Sequence, residues 1–258
     1  MPGSMLEGKL GLVTGVANRR SIGWGIGQAL GNAGARLAFT YQERVADTVG
    51  ELAATLPSAF TFPCEVTDDA QVDQAFERVD REFGGLDILV HSIAFAPREA
   101  LENPFVDTSR DAWRTALEIS AYSLILLARK AAPLMAKRGG GSIITMTYLG
   151  SDRVFPKYNV MGVAKAALES SVRYLASDLG PQNIRVNAIS AGPIRTLAAR
   201  SIQGFPKMEE HVREISPLRR NTEAAEVGDV ALFLASDLSR NVTGITLFCD
   251  SGYHAMGM

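Results

Sequence analysis

Cysteine, histidine and unbalanced charge are all scarce in this sequence. With only Cys64 and Cys249 in 258 residues, a disulfide-built scaffold is excluded. Both thiols adjoin apolar strand-like runs, where reduced, buried cysteines are expected, as in a cytoplasmic protein. The three histidines are scattered along the chain and suggest no metal site. A formal charge of −2 gives no general attraction to nucleic acid or to an anionic membrane surface. The longest apolar neighbourhood, around 124–128, breaks at Arg129 and Lys130 and is too short to span a bilayer. No apolar N-terminal stretch follows a basic region, so no signal peptide is expected. Linkers, low-complexity tracts and internal repeats are also missing, and the GGGS at 139–142 leads directly into an apolar run. One large α/β domain over residues 1–258 is the expected organisation.

What is present is an alternation. Short apolar runs at 10–14, 36–40, 60–63, 86–91, 142–146, 185–189 and 246–249 have the length of strands. Between them, apolar residues recur at three- and four-residue spacing, as at Val72, Ala75, Phe76 and Val79. Strands alternating with helices imply parallel pairing through right-handed crossovers. The expected fold is therefore a Rossmann-like, doubly wound sheet of about seven parallel strands, with helices on both faces and ligands beyond the strands' carboxyl ends.

The first of those ends carries TGVANRRSIGWGIGQAL, starting at Thr14. Gly15 suits a tight turn, while Ser21, Ile22 and Gly23 fall at the start of the next helix. Free N–H groups and the helix dipole there suit a pyrophosphate, although the turn is several residues longer than G-x-G-x-x-G requires. The second strand ends AFTYQER. A dinucleotide enzyme often has a carboxylate here for the ribose hydroxyls; Gln42 takes that place, followed by Glu43 and Arg44. Gln42 carries no charge for a 2′-phosphate and Glu43 would repel one, so NADH is expected over NADPH, with Arg44 as the opposing feature. The third strand ends PCEV, where Glu65 can accept from the adenine amino group and Val66 can pack on its ring. After the fourth, HSIAFAP places small Ser92 and Ala94 where a cofactor approaches the backbone; His91 is expected to be a buried strand residue. Past the sixth, NAISAGPIRT offers the backbone of Ile194 to a carboxamide and Thr196 to a phosphate.

The reactive pair lies in YNVMGVAK, residues 158–165. Placed on one helix, Tyr158 and Lys165 share a face about 10.5 Å apart, against about 6 Å for the commoner spacing of four, at which this chain has Gly162. A nicotinamide ribose fits the longer gap. There the Lys165 ammonium can bond ribose hydroxyls, the phenol can reach the substrate, and the positive charge is expected to favour phenolate character at Tyr158. A second tyrosine, Tyr148, follows the fifth strand. The stretch after Thr196, with Gly204 and Pro206 interrupting weak helical patterns, suits a mobile lid at about 195–215 or an ordinary pair of surface helices.

With these residues in place, the chain resembles the bacterial enoyl-acyl-carrier-protein reductases of the FabI type, a divergent branch of the short-chain dehydrogenase/reductases. The resemblance runs from about Leu6 to the end. It is carried by TGVANRRSIGWGI, AFTYQ, HSIAFAPREAL, TYLGSDRVFPKYNVMGVAKAALE, RVNAISAGPIRTLAARSI and DSGYHAMGM. It implies a homotetramer that uses NADH to reduce trans-2-enoyl thioesters on acyl carrier protein, in bacterial type II fatty acid synthesis. By the same resemblance, hydride goes to C3 of the enoyl group, Tyr158 stabilises the resulting enolate at the thioester oxygen, and Lys165 clamps the ribose. Tyr148 lines the acyl pocket with Phe95, Ala96, Met161, Ala198, Ile202 and Phe205. The implied cofactor groove comprises Gly15, Ser21, Ile22, Gln42, Glu65, Val66, Ser92, Ile93, Ala94, Lys165, Ile194 and Thr196. Glu65 departs from the family's usual aspartate. Arg195, Arg200 and Lys207 are placed to meet an acidic carrier protein or are ordinary solvated charges.

Two rivals share the fold. An NAD(P)-dependent keto-reductase would have a serine or threonine thirteen residues before its tyrosine, and Thr145 stands there; Gly162 in place of the expected lysine opposes it. A dinucleotide-sensing protein without turnover needs neither Tyr158 nor Lys165, and this chain has both.

Overall fold

The computed structural model describes residues 5–196 and 204–257. Seven strands form one sheet: β1 (Leu10–Thr14), β2 (Arg36–Tyr41), β3 (Phe60–Pro63), β4 (Ile88–His91), β5 (Gly141–Thr147), β6 (Ile184–Ala191) and β7 (Thr246–Cys249). Their order is β3-β2-β1-β4-β5-β6-β7, and every neighbouring pair is parallel. The chain winds outward from β1 to β3, crosses back to β4 and winds out the other way. Connections therefore diverge between β1 and β4, and that divergence opens a crevice at the strands' carboxyl ends.

Nine helices cover the faces among the described residues: α1 (Ile22–Asn32), α2 (Ala46–Ala53), α3 (Asp69–Phe83), α4 (Arg98–Glu102), α5 (Arg110–Leu117), α6 (Ser123–Ala136), α7 (Val160–Leu179), α8 (Phe205–Ile215) and α9 (Ala224–Ala235). On one face α3, α6 and α7 bury Phe76, Leu127 and Leu168 against Leu12, Leu89 and Ile143. On the other, α1, α2 and α9 bury Trp24, Leu52 and Ala231 against Val13, Phe39 and Val90. Cover on both faces is why the central strands read as continuous apolar runs. The spacing that marked α3 in the sequence is its core face, since Val72, Ala75, Phe76 and Val79 are its buried residues. Asp68 caps that helix by accepting from the N–H groups of Ala70 and Gln71, and Gly84 ends it in the left-handed conformation.

Three local outcomes differ from the sequence-based expectation. β4 starts at Ile88 because Asp87 is a hub at the sheet's lower edge: its carboxylate accepts from the Leu10 N–H at 2.9 Å and from Arg138 Nε at 3.2 Å. α5 and α6 join through a π-helical turn at Glu118–Tyr122, giving a 27-residue helix at 110–136 that is long and apolar enough to cross a membrane. Leu124, Leu127, Ala128 and Ala131 of that helix are fully buried in the core, which accounts for its hydrophobicity. Finally, α7 begins at Val160, so Tyr158 precedes the helix.

Candidate active site

At the crevice the first turn packs backbone on backbone. Gly15 has φ +80°, and a Cβ there would stand 2.0 Å from the carbonyl oxygen of Ser92. Only glycine lets β1's exit cross the end of β4 so closely. Ser21 immediately precedes α1, and its Oγ accepts from the N–H groups of Ala17 at 3.1 Å and Asn18 at 3.0 Å rather than from the helix. That ties down the additional residues of the long turn and leaves the serine's own proton to donate. The N–H groups of Ile22 and Gly23 open the helix without partners among the described residues, as a helix N-terminus must. Next along the crevice, Gln42 Nε2 donates to Glu65 Oε2 at 2.9 Å and Arg44 Nη2 donates to Gln42 Oε1 at 2.8 Å. The three residues form one exposed chain at the ends of β2 and β3, in which Arg44 is drawn onto the glutamine. Val66 is buried beside them, while Ser92, Ile93, Ile194 and Thr196 are half-buried and Ala94 is exposed.

The reactive residues converge between β5 and α7. The Tyr148 and Tyr158 rings meet edge to face with centroids 5.1 Å apart, and Phe155 lies 4.9 Å from Tyr148. Lys165 is 5% exposed and donates to the Met146 carbonyl at 2.8 Å. Tyr158 sits in the turn ahead of α7, between two residues with positive φ, Lys157 (65°) and Asn159 (42°). Both are anchored to the end of α4: Lys157 Nζ donates to Glu102 O at 2.6 Å, and Asn159 Nδ2 reaches Asn103 O at 2.8 Å and Leu101 O at 3.1 Å. Backbone strain of this kind persists only where the surroundings over-determine it. Here it turns the Tyr158 ring out of the helix and against Tyr148.

Gly162 has a direct steric explanation. A Cβ on it would lie 2.6 Å from Gly150 O, and a Cβ on Gly150 would lie 2.5 Å from Tyr158 Cδ1. The backbone around Gly150 thus fills the space that a side chain at 162 would need, so a lysine is excluded from that position. Thr145 is also unsuited to a keto-reductase's role. It is fully buried, and its hydroxyl pairs with His91 Nδ1 at 2.7 Å; His91 Nε2 meets Ser123 Oγ at 2.8 Å. Ser123 donates to Ile119 O, so its oxygen accepts from Nε2–H and Nδ1 accepts from Thr145. Burial, reinforced by Lys165, holds the His91 pKa down to about 3 and the ring neutral.

The titration of Tyr158 corrects an expectation. Burial and the negative charge of Glu169 push its pKa above the ordinary phenol value, and burial does the same for Tyr148. Tyr158 is therefore a neutral hydroxyl at physiological pH, able to donate a hydrogen bond, and has no phenolate character. Lys165 moves the other way, to about 8, because desolvation outweighs the attraction of Glu169.

Comparison with known proteins shows the family of the chain. A family model described as enoyl-(acyl carrier protein) reductase matches residues 15–254. The chain is 53% identical over 256 residues to an enoyl-[acyl-carrier-protein] reductase [NADH] FabI of Bacillus cereus, covering 98% of this chain and 99% of that protein. It belongs to the enoyl-acyl-carrier-protein reductase family. A Nostoc relative of the same name is 52% identical over 257 residues, covering 98% of this chain and 99% of that one. Among solved structures, the Bacillus cereus reductase with NADP+ and indole naphthyridinone superposes with a TM-score of 0.96 at 52% identity, covering 98% and 99% of the two chains. The Anaplasma phagocytophilum reductase in complex with NAD gives 0.95 at 49%, covering 99% and 97%.

The residues expected on the substrate side stand on or beside α4, α7 and α8. Met161 and Phe205 are buried, Ala96 is half-buried and Phe95 is 50% exposed at the rim. Ala198, Ile202 and Arg200 lie outside the described residues. Gly204 and Pro206 start α8 instead of interrupting it: Gly204 precedes the helix at φ +83° and Pro206 falls in its first turn. α8 is joined to the site twice, by Tyr148 Oη donating to Met208 Sδ at 3.4 Å and by Arg195 Nε meeting Glu209 Oε2 at 2.6 Å. Arg195 is thereby paired, whereas Lys207 is exposed. Four contributors were not singled out from sequence: Gly150, Met208, Thr147 and Glu169. Glu169 alone had a local signal, standing four residues after Lys165.

Proposed function

We propose that this chain is an NADH-dependent enoyl-acyl-carrier-protein reductase that saturates the trans-2 double bond of enoyl thioesters in type II fatty acid synthesis. One observation carries the proposal: Tyr148, Tyr158 and Lys165 converge at the carboxyl ends of the strands in a chain matched over 15–254 by the reductase family. When bound, NADH supplies the hydride. The crevice fits it. The close approach of Gly15 to Ser92 leaves no side chain in the way, the N–H groups of Ile22 and Gly23 would hold a pyrophosphate, and the Gln42–Glu65 chain would meet the adenosine. Glu65 and Glu43 disfavour a 2′-phosphate there, and Arg44 is engaged by Gln42.

The protein's own groups orient and stabilise. Lys165, with one proton on the Met146 carbonyl, would hold the nicotinamide ribose with its remaining protons. Tyr158, neutral and fixed by its strained turn, donates to the thioester oxygen as negative charge develops on it, an oxyanion role for a pre-positioned hydroxyl. Tyr148, Met161 and Phe205 exclude water around the acyl chain, and residues 195–215 act as the lid over it. The working unit is a cytoplasmic homotetramer acting on acyl carrier protein; light scattering that returned a monomer would remove the tetramer. NADH should be consumed stoichiometrically with a short trans-2-enoyl thioester, and Tyr158→Phe should slow turnover by about 10²-fold with NADH binding nearly unchanged. Full turnover in that variant would refute the role of Tyr158.

A further inference from the structure

Lys165 is the one cation buried at this site among the described residues, and a buried ammonium needs a compensating charge. The groups around it are few. From β4 comes His91, neutral; from the turn before α7 comes Tyr158, also neutral. β5 contributes the Met146 carbonyl and the Thr147 hydroxyl, neither of them charged. On the helix packed across α7, Glu118 and Tyr122 are exposed, and the buried Ser120, Ala121 and Ser123 carry no charge. Among the described residues, one carboxylate remains. Glu169 stands four residues beyond Lys165 in α7, on the same helical face and about 6 Å along the axis. It is half-buried and accepts from Thr147 Oγ1 at 2.6 Å. Adjacent residues of β5 thus hold both ends of the pair, since Met146 O binds the ammonium and Thr147 binds the carboxylate.

We propose that Glu169 is a positioning residue for the reaction: its carboxylate, fixed by Thr147, keeps Lys165 protonated so that the ammonium can hold the cofactor. The inference rests on the ribose-binding role given to Lys165 above and deepens it. Desolvation brings Lys165 to about 8 even with Glu169 opposing. Without that opposition, Lys165 would lose its proton at a lower pH. A neutral amine is a weaker donor to ribose hydroxyls. Burial, and after it Glu169, also disfavours ionisation of Tyr158.

The test is NADH affinity by fluorescence titration from pH 6 to 9.5, a window in which neither His91 nor Tyr158 titrates. The wild-type protein should bind less tightly above pH of about 8, as Lys165 loses its proton. Glu169→Gln keeps the shape and the bond to Thr147 but removes the charge. Its weakening should begin about one pH unit lower, with affinity regained at pH 6, which also shows that the variant is folded. Glu169→Met should move the limb the same way, whereas Glu169→Asp, which keeps the charge, should leave it within a few tenths of a unit of wild type; Thr147→Val, which keeps the charge but frees the carboxylate, should shift the limb less than Glu169→Gln does. A Glu169→Gln limb that coincides with wild type overturns the proposal. Lys165→Ala separates the two levels of the argument: a limb that survives it refutes the ribose role itself, and a limb that vanishes while Glu169→Gln has no effect refutes only the counter-charge.

Discussion

Lys165 carries a stability cost that follows from its chemistry. Its pKa falls from 10.5 to about 8 in the folded protein. Below about 8 both folded and unfolded chains hold the proton, so the whole cost of burying the ammonium is present. Between about 8 and 10.5 the folded chain releases the proton while the unfolded chain keeps it. The unfolded state then binds more protons, and this residue's contribution to stability rises with pH. Lys165→Met lacks that term. The Tm of the variant relative to wild type should therefore be most favourable near pH 7 and decline towards pH 9.5; a difference independent of pH would contradict the assignment. The sequence made the Tyr158–Lys165 pair legible but not the reason for its spacing. A helical face was expected to hold both groups, whereas Tyr158 lies in a turn fixed by Lys157 and Asn159. Gly162 is explained by Gly150 O, a contact across twelve residues of chain that no local pattern reveals.

Elements were easier to read than their junctions. All seven strands were found within a few residues, because two covered faces leave runs of apolar residues that turns interrupt. The π-helical turn at Glu118–Tyr122 was not visible, since its residues fit an α-helix equally well; it matters because Ser120 from that turn bonds both the N–H and the carbonyl of Phe95, each at 2.9 Å. Nor did the sequence show how α1 is held at the cofactor turn. α1 and α9 cross through glycines: a Cβ on Gly25 would lie 2.5 Å from Ala224 O, and one on Gly228 would lie 2.7 Å from Gly25 O. Backbone contact leaves no side chain to adjust, so Gly25→Ala must push the helices apart. The expected cost is about 1–3 kcal/mol, or a fall of several degrees in Tm. Because Ile22 and Gly23 move with α1, NADH affinity should fall as well. An unchanged melting temperature would show that the crossing has slack.

At the scale of the whole molecule, the question is which bond the assembled site reduces. The fold itself is common to ketone and enoyl reduction, so the decision rests on three positions brought together from distant segments. Thr145, where a ketone reductase would present a hydroxyl, is sealed beneath the surface and bonded to His91. Position 162 cannot admit a lysine because the Gly150 carbonyl occupies its space. Tyr148 instead supplies an aromatic wall against Tyr158, tied to α8 through Met208. A ketone reductase must protonate the oxygen on the carbon that receives hydride. Reduction of an enoyl thioester develops charge on an oxygen two atoms further away, and Tyr158 is the donor proposed for that oxygen. The protein should therefore oxidise NADH with a trans-2-enoyl thioester and show little activity with the matching 3-ketoacyl thioester. Mass spectrometry of the product should record a gain of about two mass units and no new hydroxyl, as the addition of a hydride and a proton requires. A 3-hydroxyacyl product formed from the keto substrate with equal or greater kcat/KM would overturn the enoyl assignment. It would leave the crevice as a dinucleotide site, because the Gly15 turn, the N-terminus of α1 and the Gln42–Glu65 chain owe nothing to the identity of the substrate.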